Sequence, residues 1–206
     1  DFVQDYSFFK RHVSGLVRWL WQIEVVGAEN QPQEDGYLLC SNHTSMSDVI
    51  VLAVGSKRII HYMAKAEWLH IPIIGLFLKS LGAFPVRRGK ADLAALKHAM
   101  NMIRAGDIVG FFPQGTRCPH VDPRTTEVKS GAGMMAYHTK CKVVPVYIKT
   151  KQNKTKMFHK TQVIYGPPIS YEELPFEKGT TAEFREATAF IFDRICALGE
   201  QTPPAS

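Results

Sequence analysis

A histidine followed five residues later by an aspartate, in Asn42-His43-Thr44-Ser45-Met46-Ser47-Asp48, is the segment of this 206-residue chain best equipped to move a proton. Imidazole can act as a base when a carboxylate holds one ring nitrogen, fixes the tautomer and leaves the other nitrogen for the reacting group. In a continuous helix a gap of five residues turns the two side chains about 140° apart. His43 must therefore precede the helix and bend back toward its first turn. A competing structural role exists, because Ser45-x-x-Asp48 before an apolar run is also a capping-box pattern, in which Asp48 only satisfies a helix N-terminus.

Two further groups suit an anion. In Phe111-Phe112-Pro113-Gln114-Gly115-Thr116-Arg117, Gly115 permits close backbone approach, Thr116 offers a hydroxyl, and Arg117 carries a planar fork of donors matched to phosphate oxygens. The same residues would also make an ordinary tight turn with a solvated arginine. In Gly82-Ala83-Phe84-Pro85-Val86-Arg87-Arg88-Gly89, two cationic side chains follow directly on an extended run.

The elements that must position these groups alternate. Strands are expected at residues 37–40, 59–63, 83–86, 108–112, 143–148 and 162–165, and helices at 48–55, 92–105, 131–139 and 181–198. Such alternation predicts an α/β sandwich with a mixed, largely parallel sheet flanked by helices. The His43 segment then lies on a strand-to-helix loop, where α/β sites commonly form. Residues 8–23 place Phe9, Val13, Leu16, Val17, Leu20 and Ile23 at helical spacing, with Lys10, Arg11 and Arg18 elsewhere on the wheel. Trp19 and Trp21 on this amphipathic helix suit a bilayer interface, although a core-packing helix would show the same stripe. The apolar stretch at 70–81 reads as a buried helix or the wall of an acyl-chain groove. The expected organisation is a membrane-associating helical segment over 1–24, one catalytic domain over 25–200 and a flexible tail over 201–206.

A chain with 45% hydrophobic and 21% charged residues has the composition of a globular domain. Its net charge of +6 favours an anionic partner. No nucleic-acid motif or dense Lys/Arg block is present, so a membrane or an acidic carrier protein is preferred over DNA or RNA. Cys40, Cys118, Cys141 and Cys196 form no C-x-x-C pair, which predicts neither a metal site nor a disulfide frame, and points to reduced thiols in a cytosolic setting. No apolar run reaches the roughly 18 to 20 residues that a spanning helix needs.

Taken together, the groups resemble the glycerolipid acyltransferases, in particular the bacterial 1-acylglycerol-3-phosphate branch. Asn42-His43 through Asp48 looks like that family's catalytic H-x4-D block. Residues 82–88 resemble the second block, whose phosphate-binding arginine is matched by Arg88. Phe112 to Arg117 resembles the third, and Val144-Pro145-Val146-Tyr147-Ile148 the fourth. One departure is Gln114, where the family usually has Glu before Gly-Thr-Arg. Glutamine keeps hydrogen-bonding reach and loses the charge, which bears on the acceptor's head group.

The resemblance implies a catalytic pair, His43 and Asp48, and acceptor-phosphate contacts from Arg88, Gln114, Gly115, Thr116 and Arg117. It implies transfer of a fatty acyl group from an acyl carrier protein or coenzyme A thioester to a lysophospholipid hydroxyl, with no cofactor and no metal. Backbone N–H groups at the start of the helix after His43 are candidates for stabilising the oxyanion. The expected setting is peripheral or monotopic, on the cytoplasmic face of the cell membrane. The alternatives are another lysophospholipid acceptor, a lipid hydrolase in which His43 activates water, and a non-catalytic membrane adaptor.

Overall fold

The computed structural model describes residues 14–65, 67, 70, 78–79, 82–86 and 93–202. The described strands form one seven-stranded sheet. They are β1 (Ile23–Val26), β2 (Tyr37–Ser41), β3 (Ile60–Lys65), β4 (Ala83–Val86), β5 (Ile108–Phe111), β6 (Lys142–Thr150) and β7 (Thr161–Tyr165), in the order β1-β7-β6-β2-β5-β3-β4. Neighbours run parallel except β6 and β7, so the sheet is mixed and largely parallel as expected.

The helices lie on both faces. On one face α1 (Ser14–Leu20) packs against α2 (Ser47–Gly55), and on the other lie α3 (Leu93–Arg104), α4 (Gly131–Thr139) and α5 (Thr181–Gln201). β2 shows why. All five of its residues are buried; Tyr37 and Leu39 join the core beneath α1 and α2, whereas Leu38 and Cys40 join the core beneath α3, α4 and α5. A strand covered on both faces reads as a continuous apolar run, which is how Tyr37-Leu38-Leu39-Cys40 stands in the sequence.

The N-terminal helix departs from expectation. Helical spacing carries the stripe to Ile23, yet α1 ends at Leu20, and Gln22 adopts a left-handed φ of 43°. Ile23 opens β1, pairing in register with Thr161, so the boundary expected between residues 24 and 25 falls inside a strand of the sheet. The cause is local: Ile23, Val25 and Val26 are β-branched and fit a pleated surface better than a helix. Trp21 is consequently buried in the core, whereas Trp19 is 66% exposed. The expected helix at 70–81 and the residues before Ser14 lie largely outside the described residues. Gln201, assigned to the tail, closes α5. Among the described residues no helix is long and apolar enough to cross a membrane.

α4 and α5 approach closely because Gly133 has no side chain. A Cβ there would meet the Phe184 carbonyl oxygen at 2.1 Å, and the Gly133 N–H donates to Thr188 Oγ1 at 2.9 Å. Gly133→Ala is expected to force the helices apart at a cost of about 1–3 kcal/mol. Thermal unfolding should show this as a drop of several degrees, with the rate per folded molecule preserved; an unchanged transition would mean that the helices are not this close.

Candidate active site

The parallel strands β2 and β5 are direct neighbours, paired from Tyr37↔Ile108 to Cys40↔Phe111, so the loops after both strands leave the same edge of the sheet. The first loop carries Asn42 and His43, and the second carries Phe112 to Arg117. Asn42, fully buried, acts as a surrogate peptide: its amide nitrogen donates to the Ile148 carbonyl at 3.1 Å and its amide oxygen accepts from the Ile148 N–H at 2.7 Å. This bidentate link to β6 extends β2 one residue past its last backbone pair, Ser41↔Val146, and sets the point at which the chain turns.

His43 is then held from several sides. Its N–H donates to Gln114 Oε1 at 2.7 Å, and its carbonyl accepts from the Cys118 N–H at 2.8 Å. Its ring stacks on Phe112 at 3.9 Å with 14° between planes. The aromatic face fixes the ring and supports the positive charge that forms whenever the imidazole takes a proton. His43 Nδ1 lies 2.9 Å from Asp48 Oδ2, which leaves Nε2 as the nitrogen available to a substrate.

Asp48 is completely buried and every partner it has can donate. Oδ2 also accepts from the N–H groups of Thr44 at 2.6 Å and Ser45 at 2.8 Å. Oδ1 accepts from Thr155 Oγ1 at 2.5 Å and Thr44 Oγ1 at 3.3 Å. The capping alternative is present in half: Asp48 reaches back to Ser45 N–H as a capping box requires, but Ser45 Oγ accepts from Ser47 N–H at 3.3 Å rather than from Asp48. One carboxylate thus shapes the turn and orients the imidazole.

The same bonds bear on the oxyanion expectation. The N–H groups of Thr44, Ser45, Ser47 and Asp48 are already bound within the turn. The start of α2 spends these donors on its own loop.

His43 opens onto a cavity of about 440 Å³ whose lining divides in chemistry. Val49, Tyr62, Met63, Leu78 and Ala83 are apolar or aromatic; Gly115, Thr116 and Arg117 are polar and exposed. Gly115 adopts a φ of 68°, the left-handed turn that brings Thr116 and Arg117 round to the cavity wall. Gln114 is placed differently from the residues after it. It is 3% exposed, and besides accepting from His43 N–H its amide donates to Thr126 Oγ1 at 2.9 Å. This geometry makes Gln114 a brace beneath His43, with the cavity-facing polar groups supplied by the three residues that follow. Arg88 lies outside the described residues. Burial pushes the thiols of Cys40, Cys141 and Cys196 up, which keeps them protonated and unsuited to nucleophilic attack.

The signals missed in the sequence were Thr155 and Asn42's bond to β6. Thr155 is a lone threonine 107 positions from Asp48, in a lysine-rich segment without a motif.

The sheet thus sets an Asp-held histidine over a cavity that is apolar on one side and exposes an arginine on the other. A family model described as Acyltransferase matches residues 22–149, and the chain belongs to that family. It is 35% identical over 167 residues to a 1-acyl-sn-glycerol-3-phosphate acyltransferase of Bacillus subtilis, spanning 80% of this chain and 82% of that one. It is 37% identical over 114 residues to a lyso-ornithine lipid O-acyltransferase of Brucella abortus, spanning 53% of this chain and 40% of that one. The fold matches the crystal structure of the 1-acyl-sn-glycerophosphate acyltransferase PlsC from Thermotoga maritima with a TM-score of 0.68, at 22% identity over 98% of this chain and 80% of that one.

Two outcomes follow from the geometry. Thr155→Val removes a donor from Asp48 without changing size, and kcat is expected to fall about tenfold to hundredfold with KM little changed. Thr155→Ser should restore most of the rate; equal loss in both variants would assign Thr155 a packing role alone. For Gln114, the acceptor oxygen is what His43 needs, so Gln114→Glu should retain activity to within a few-fold while Gln114→Met loses most of it. Comparable rates in these two folded variants would remove the brace.

Proposed function

We propose that the protein transfers a fatty acyl group from an acyl carrier protein or coenzyme A thioester to the sn-2 hydroxyl of 1-acylglycerol-3-phosphate, giving phosphatidic acid in phospholipid biosynthesis. The observation that carries this reading is the shared cavity: the imidazole held by Asp48 opens onto the same space as Thr116 and Arg117. His43 Nε2 takes the proton from the acceptor hydroxyl as that oxygen attacks the thioester carbonyl. The C–S bond then breaks, and the departing thiolate takes up the proton from the imidazolium. No covalent acyl-enzyme forms. Arg117 and Thr116, with the Gly115 backbone and Arg88, hold the acceptor phosphate so that its hydroxyl lies beside the base. Gln114 contributes to this pocket through the loop it braces. The apolar part of the lining takes an acyl chain.

A second acceptor class is suggested by one relative, which carries a lyso-ornithine lipid O-acyltransferase name. A zwitterionic or differently charged lysolipid would use the same base.

The proposed setting is peripheral or monotopic, at the cytoplasmic face of the membrane. The exposed side of α1 is the first contact, since Leu16 and Trp19 are 56% and 66% exposed.

Purified protein with a labelled acyl donor and a panel of lysolipids tests the reading. Lysophosphatidic acid should be the preferred acceptor, and a preference for lyso-ornithine lipid or lysophosphatidylcholine would move the assignment to the second class. His43→Ala is expected to lower turnover about 10²- to 10⁴-fold in a folded protein. Near-normal turnover in that variant, or fatty acid release without any acceptor, would reject the mechanism.

A further inference from the structure

Residues 151–160 join β6 to β7 and face two ways. Inward, Thr155 is 2% exposed and holds Asp48. Outward, two and three residues further on, Met157 and Phe158 are 50% and 61% exposed. The Phe158 ring meets the exposed Trp19 ring edge-on at 6.0 Å, and the Phe158 N–H donates to the Leu20 carbonyl, which ties the loop to the end of α1. Phe158 adopts a left-handed φ of 61°. A bulky residue in that conformation persists only where its surroundings fix it, and here the result is a large ring presented to solvent. Two unfavourable features at one position suit a ring that is covered in the working state.

The charge along this loop is of one sign. Lys151, Lys154, Lys156 and Lys160 occupy the same loop, and no acidic residue occurs from Thr150 to Gly166. Three of these lysines, with Gln152 and His159, line a shallow cleft of about 200 Å³. Aromatic and aliphatic side chains ringed by cations match the boundary of a bilayer, where acyl chains lie just beneath anionic phosphates. An acidic protein would engage the lysines but offers no comparable phase for Met157, Phe158 and Trp19.

We propose that the loop of residues 151–160, together with Trp19, is a docking surface for an anionic lipid bilayer. Met157, Phe158 and Trp19 enter the head-group boundary and the lysines meet lipid phosphates. This adds to the N-terminal segment a second contact, distant in sequence, and one that shares a loop with a donor to Asp48. Within that loop Thr155 alone reaches Asp48, while the Met157 and Phe158 side chains face solvent. The biological setting rests on the lysophospholipid reading, whereas the binding measurement requires no turnover.

The test is cosedimentation of the full chain with phosphatidylcholine vesicles, with and without phosphatidylglycerol. The wild type should bind the mixed vesicles. Met157→Ser combined with Phe158→Ser should weaken that binding about tenfold, since two large apolar side chains no longer leave water. Its circular dichroism, melting temperature and turnover on a detergent-dispersed acceptor should stay at wild-type values. Replacing the four lysines by glutamine should remove the preference for phosphatidylglycerol and flatten the salt dependence. Wild-type vesicle binding by the serine variant overturns the proposal. So does a variant that keeps vesicle binding and loses turnover only with an acyl carrier protein thioester, which would make the loop a protein-docking face. Should the wild type transfer no acyl group to any lysolipid while this binding pattern holds, the enzymatic reading falls and the docking surface stands.

Discussion

A carboxylate with no exposure to water needs donors on every side, and the geometry around Asp48 follows from that requirement. Thr44 and Ser45 must turn their N–H groups inward, which curls the loop between β2 and α2. Thr155 must arrive from beyond β6, which closes the loop before β7 over the site. His43 completes the set by pointing Nδ1 at the same oxygen, and its other nitrogen is thereby aimed outward at the cavity. The cavity-facing end of the imidazole is oriented by the hydrogen-bonding demands of a buried carboxylate.

Asn42 and Gln114 do for the backbone what Asp48 does for the ring. A strand end beside a cavity leaves peptide groups without ladder partners, and each must be paired. Asn42 supplies the missing peptide toward β6, and Gln114 supplies an acceptor for the His43 N–H. The two amides leave His43 little freedom to shift along either strand direction. Phe112 then restricts the ring itself. The site is therefore built on strand ends and braced by side-chain amides, an arrangement more exact than a loop alone would allow.

Legibility in the sequence tracked the range of the interaction. The β4 and α4 boundaries stand where local pattern places them, and the β2 and β5 cores lie where apolar runs do, because burial on both faces leaves a local composition signature. The rotation of five helical residues required His43 to sit before α2 and bend back, and the loop does so. Ile23 was misread because α1 ends after a short apolar stripe and a β-branched strand begins within the same periodicity. Thr155 left no trace, since its partner lies 107 positions away and a single threonine carries no period. Gln114 was legible as a departure from its family but not as a brace. A side chain's burial depends on what the neighbouring loop does, and that loop belongs to a different strand.

Helix N-termini are ready anion sites, and α2 begins beside the candidate base, so its N–H groups were natural candidates for the oxyanion. Part of that set is committed otherwise: the N–H groups of Thr44 and Ser45, just before the helix, bind Asp48, and those of Ser47 and Asp48 close onto Ser45. Holding Asp48 and closing the turn use these four donors, which are therefore not open to an anion. On the opposite wall Gly115, Thr116 and Arg117 line the cavity. That loop leaves β5 alongside the loop that leaves β2. Two neighbouring parallel strands thus divide the site, the first leading into His43 and Asp48, the second into Phe112, Gln114 and the polar cavity wall.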